Sequence, residues 1–135
     1  MTIDPKYLHS DISDSVLKAF FAVRDSLPYD LEVGVYKRAL ELEMKSIGLA
    51  VEPDKEVNIF FKDTNIGSFF IDFVVNDSII ILVIKNDLSC EHQVPNAKNQ
   101  LRLTKYEVCL ILNFSADTLK QFSRILLTKE FKKDK

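Results

Sequence analysis

Asp72 stands alone among apolar residues in the run Phe69-Phe70-Ile71-Asp72-Phe73-Val74-Val75, and Lys85 closes the run IIILVIK 13 residues later. An ionised carboxylate in apolar surroundings is costly unless something compensates it. If Asn76-Asp77 is a hairpin turn, the two runs pair as strands and bring Asp72 and Lys85 near one sheet edge. An acid on one strand with a lysine at the end of the next is how a metal-dependent phosphodiesterase presents a metal ligand and a charge stabiliser. A structural ion pair, or an Asp facing solvent on an edge strand, would use the same residues.

The elements that must hold these residues are readable from periodicity. Between Asp11 and Leu27, Ile12, Val16, Ala19, Phe20, Val23 and Leu27 recur at helical steps, with Ser10 or Asp11 placed to cap the helix and Pro28 to break it. A second helix spans about 30–47, with Tyr36, Ala39, Leu40, Glu43 and Ile47 on one stripe and Gly48 as its left-handed stop. The period then changes, and 57–62, 67–75 and 78–85 read as strands rich in Ile, Val and Phe. A helix over 96–104, with Pro95 in its first turn, precedes a buried strand over 106–114 and a short one over 122–127. The order α-α-β-β-β-α-β-β predicts an α/β architecture, a mixed sheet with helices on its faces. Phe60-Phe61 and Phe69-Phe70 put consecutive rings on opposite faces, which predicts that both faces are covered, by helices or by a partner.

In this order the sequence resembles the GxxExxxY branch of the PD-(D/E)XK nuclease superfamily. The likeness rests on Val35-Tyr36, Ala39-Leu40 and Glu43, then Ile47-Gly48-Leu49, Gly67 with Asp72, the run ending in Lys85, Asn113-Phe114 and Arg124-Ile125. It implies a restriction-endonuclease-like core over about 11–128. The length by itself is that of a single domain, 1–135, and the charged tail 129–135 reads as a frayed or solvated end. By this resemblance Asp72 and Lys85 are the remnants of the catalytic set. The helix acid of the family falls on Val33, its glycine on Asp30, the acid of the E-x-K element on Val83, and a glutamine on Asn96. The family site would hold Mg²⁺ or Mn²⁺ between acids at positions 72 and 83. Mg²⁺ requires carboxylates, waters and phosphate in octahedral array, and a valine at 83 removes the second carboxylate. Asp87, on the face of Lys85 if the strand continues, and Glu43 are the candidate migrated acids; Glu32 points about 100° away from position 33 on a helix. Glu43 reads equally well as a partner for Lys85.

Other residues give weaker signals. Lys98, Arg102 and Lys105 make a basic stripe that is either a solvated face or a phosphate-contacting edge. His9 and His92 are read as surface histidines, and Cys90 and Cys109 as reduced thiols in no metal spacing. With 18 basic and 20 acidic residues among 135, the net charge of −2 excludes a globally basic nucleic-acid binder. The longest apolar run, six residues from Ile79 to Ile84, is far below the about 20 that a membrane span needs. The polar, acidic start MTIDPKYLHSD carries no secretory pattern, so the cytoplasm is the expected compartment.

The expected function is therefore a catalytically inactive nuclease-fold protein that acts as a binding module. Its partner would be another protein, a second copy or nucleic acid, and no cofactor is expected. The alternative is a Mg²⁺- or Mn²⁺-dependent nuclease in which a migrated acid joins Asp72.

Overall fold

The computed structural model describes residues 7–85, 90–115 and 121–132. Helix α1 (Ser10–Ser26) and helix α2 (Val33–Ser46) precede three strands, β1 (Val51–Phe61), β2 (Thr64–Val75) and β3 (Ile79–Ile84). A 3₁₀ turn (Cys90–Gln93) leads into α3 (Val94–Arg102), then β4 (Val108–Asn113), β5 (Phe122–Leu126) and a last turn of helix α4 (Lys129–Lys132). The strands form one sheet in the order β1-β2-β3-β4-β5, antiparallel except for the parallel pair β3/β4. A parallel step needs a crossover, and α3 lies within it.

Two apolar clusters form on the sheet's two faces. On one, Val16, Phe20 and Val23 of α1 and Tyr36, Leu40 and Met44 of α2 pack on Phe73, Ile81, Val83, Leu110 and Leu112. Phe114 closes it, edge-on to Phe20 (centroids 4.8 Å apart) and stacked on Tyr36 (4.6 Å). On the other, Ala97 and Leu101 of α3 pack on Ile71, Val74, Ile80, Leu82 and Ile111. Strands β3 and β4 are sandwiched between the helices, which is why they are apolar at every position except Asn113 at the end of β4.

The element order is the expected one, with local corrections. The N-cap of α1 is His9 in a left-handed conformation with no side-chain cap, not Ser10 or Asp11. Ile47 is 45% exposed, and Met44 takes the inner place assigned to it. Gly48 does stop α2 in a left-handed conformation (φ 93°), and Asn76 and Asp77 do turn with positive φ. Strand β1 starts at Val51 rather than Val57, through Pro53 and a left-handed Asp54 (φ 51°). Lys62 and Asp63 form a further left-handed turn, so β1 and β2 make one long hairpin. Along the outer part of that hairpin no helix among the described residues covers the sheet, and Phe60, Phe61, Ile66 and Phe70 are all about 60% exposed. The described part of the tail is also helical rather than frayed: the Lys132 ammonium donates to the carbonyls of Thr104 and Tyr106.

Candidate functional site

Asp72 sits where the pairing of β2 with β3 ends. The last paired residues are Phe73 and Ile81. Beyond them the Val83 N–H donates to Asp72 Oδ2 at 2.8 Å, so the carboxylate takes the place of a backbone acceptor. The alternation of β2 breaks here: Ile71 and Val74 belong to the α3 side, Phe73 and Val75 to the α1/α2 side. Across β1, the residue in register with Asp72 is the left-handed Asp54, since Pro53 pairs with Phe73 and Lys55 with Ile71.

The second oxygen faces α2. Lys37 Nζ donates to Asp72 Oδ1 at 2.8 Å, with the two side chains 32% and 15% exposed. Lys37 lies four residues after Val33, hence on the same helix face one turn further on. Sequence reasoning missed it, although that spacing from position 33 was the signal that could have found it. Val33 and Val83 both join the apolar cluster under α1 and α2. Around Lys37 and Asp72 lies a cleft of about 150 Å³, lined by Gly34, Arg38, Glu41, Pro53, Asp54 and Phe73 as well.

The other predicted residues are dispersed. Lys85 does not reach Asp72; its ammonium lies 3.8 Å from Asp30, an exposed carboxylate before α2. Asp30 is thus the partner that Glu43 was expected to be, and Glu43 is half-buried without lining the cleft. Asp87 lies outside the described residues. Asn96 is exposed at the start of α3, its amide 3.5 Å from Gln93 Oε1. Among the described residues no three His, Cys, Asp or Glu side chains converge on a common point.

The basic stripe is shorter than expected. Lys98 and Arg102 are exposed on α3, but the helix ends at Arg102 and Lys105 turns away to pair with Asp77 at 2.8 Å. The Tyr106 hydroxyl donates to the other Asp77 oxygen, also at 2.8 Å. The Lys105 hydrogen bond, followed by that of Tyr106, holds the Asp77 carboxyl below the usual carboxylate range. Burial, and then the bond to Asp77, pushes the Tyr106 phenol up. Asn113 and Arg124 serve the fold: Asn113 Oδ1 accepts the Ser115 N–H at 3.0 Å, and the Arg124 guanidinium donates to the Leu8 carbonyl. His9 is half-buried and His92 exposed, while Cys90 and Cys109 are buried thiols outside any disulfide. Burial pushes the Cys109 thiol well up.

Among the described residues no helix is long and apolar enough to cross a membrane. Neither the curated proteins nor the solved structures contain a match. The family model of the PD-(D/E)XK nuclease superfamily matches residues 10–125, from the first residue of α1 into β5. The five-stranded mixed sheet flanked by helices is consistent with that superfamily's restriction-endonuclease-like α/β fold. The chain belongs to the PD-(D/E)XK nuclease superfamily.

Proposed function

We propose that this chain is a GxxExxxY-type nuclease fold that has lost metal-dependent catalysis and works as a binding module. The observation that carries this reading is the double engagement of Asp72, one oxygen by the Lys37 ammonium and the other by the Val83 N–H. A divalent cation needs carboxylate oxygens free to ligate it and a low local positive charge. A lysine ammonium in contact with the one retained acid supplies a fixed positive charge there. Valines at 33 and 83 supply no oxygen and contribute to the helix–sheet core instead. The residues present therefore do not fit Mg²⁺ or Mn²⁺. Lys85, turned toward Asp30, is left without the reacting centre it would serve.

A protein partner is favoured over nucleic acid. Phosphate binding scales with the number of cations presented together, and Lys105 is drawn off α3 by Asp77, leaving Lys98 and Arg102. The net charge of −2 adds no general attraction.

The test is cleavage of single- and double-stranded DNA and RNA with Mg²⁺ and Mn²⁺, run beside Asp72→Ala, with Mn²⁺ calorimetry on both proteins. The reading expects no metal-dependent cutting by either protein, and equal, negligible heats. Metal-dependent cutting that disappears in Asp72→Ala would overturn it. It would establish a nuclease in which a migrated acid, Glu43 or Asp87, or a cleft acid, Asp54 or Glu41, completes the site.

A further inference from the structure

The last turn of α3 and the C-terminal turn α4 flank a cavity of about 570 Å³, lined by Asn99, Arg102, Leu103 and Lys132. Pockets for small ligands run from about 300 to about 1,000 Å³. Among the described residues that line it, two are cations and none is a carboxylate. Lys132 is fixed there, its ammonium donating to the Thr104 carbonyl at 3.0 Å and to the Tyr106 carbonyl. Neither acceptor carries a full charge. Burial draws this ammonium below the usual lysine range, and Glu107 opposes the shift only in part. Arg102 is exposed, and its guanidinium makes no ion pair or hydrogen bond among the described residues, so its planar fork of donors is open. Leu103, 44% exposed, and the methylene stems of the two cations offer apolar surface beside these charges.

We infer that this cavity is a binding site for a small amphiphilic monoanion, a carboxylate on a medium-length hydrocarbon body. The Arg102 fork takes the carboxylate oxygens side by side. Lys132 supplies the second charge through the N–H that its two carbonyl acceptors leave open. The hydrocarbon lies along Leu103. A phosphate monoester offers similar oxygens but carries a further charge. The carbonyl end of α3 lies here, the negative end of the helix dipole, and it penalises a dianion more than a monoanion. The cavity shares no described residue with the Asp72 cleft, so its test is independent of the metal calorimetry.

The experiment is a ¹H–¹⁵N NMR titration of the full chain with sodium octanoate, beside octanol and octyl phosphate, at about pH 7.5, where most of the phosphate ester carries two charges. Octanoate is expected to shift the amides of Asn99, Arg102, Leu103 and Lys132 saturably. A Kd of about 1 mM or tighter is within what its roughly ten non-hydrogen atoms support. Octanol should bind about tenfold more weakly, and octyl phosphate more weakly than octanoate. Arg102→Gln should weaken octanoate about tenfold. Lys98→Gln, one turn earlier on α3 and outside the lining, should change it by less than about twofold. Both side chains are exposed, so both variants are expected to keep the wild-type spectrum elsewhere. No saturable shift, equal affinity for octanol, or octanoate binding unchanged by Arg102→Gln would overturn the inference. Tighter binding of octyl phosphate would overturn it too.

Discussion

Replacing Lys37 by methionine keeps most of the side chain's apolar stem and removes only the ammonium that neutralises Asp72. A hydrogen bond to a charged group contributes about 1.5–3 kcal/mol net when shielded, and an exposed ion pair about 0–1 kcal/mol. The Lys37–Asp72 pair lies between these limits, its side chains 32% and 15% exposed. The expected loss is therefore about 1–2 kcal/mol. Asp72→Asn should cost less, because an amide oxygen can still accept the Val83 N–H that Asp72 Oδ2 accepts at 2.8 Å. The double variant should then be hardly less stable than Lys37→Met alone. The coupling energy then equals the cost of Asp72→Asn alone, about 0.5–1 kcal/mol, measurable by a double-mutant cycle of urea melts. Raising the salt concentration should shrink the coupling only in part, since a half-shielded pair is incompletely screened. Coupling within about 0.3 kcal/mol of zero would mean that the two substitutions simply add. Asp72 would then be compensated by the strand amide alone, and the Lys37 contact would no longer support a site that excludes a cation.

Tyr36→Phe should lower stability by about 1–2 kcal/mol in denaturant melts, because its hydroxyl donates to Pro28 O at 2.6 Å and accepts the Leu31 N–H, tying the α1–α2 connection to the core. Asp77 is held below its ordinary range by Lys105 and Tyr106; its ionised form favours the fold, so its contribution is present above the unfolded pKa of about 4 and is lost as pH falls through the lower folded value. The stability difference between the wild type and Asp77→Asn should accordingly narrow in melts run from neutral pH down to about pH 3. Tyr106 shifts the other way; its neutral form is favoured in the fold, so stability is drawn down above the unfolded pKa of about 10, and Tyr106→Phe should flatten that alkaline limb. Cys90 and Cys109 are buried, so a thiol reagent at mildly alkaline pH should modify neither until denaturant is added; rapid labelling of the native protein would contradict the burial.

What the sequence made legible follows from where each residue's surroundings are local. The α1 stripe is set by its own helical period, and Val16, Ala19, Phe20 and Val23 are buried as that period requires. Strands β3 and β4 are apolar up to Asn113 because helices cover both their faces, a pattern visible without knowing which helices. The inner half of β1 was not legible. Pro-Asp-Lys-Glu has little strand propensity, and only pairing with the second half of the hairpin's return strand makes it extended. At the site, Asp72 was visible as a charge that needs compensation. Its partner was not, because Lys37 lies 35 residues away on another element. The Asn76-Asp77 turn was read as bringing Lys85 and Asp72 near one sheet edge, yet β2/β3 pairing ends at Phe73 and Ile81 and the Lys85 ammonium lies beside Asp30.

If metal binding has been lost as proposed, Val33, Val83 and the retained Asp72 make physical sense as a set. A carboxylate at 83 would have to sit among the residues that now pack α2 onto the sheet, where Val83 is 5% exposed. Without a cation, an acid there would be a buried charge costing several kcal/mol, so once metal binding lapses an apolar residue is favoured. Val33 joins the same cluster from the helix side. Asp72 is different, because its carboxylate does two structural jobs. It accepts the N–H that the end of β2/β3 pairing leaves at Val83, and it anchors α2 through Lys37. Its retention therefore needs no catalytic role. The residue that most resembles an active-site remnant is the one the fold has most reason to keep.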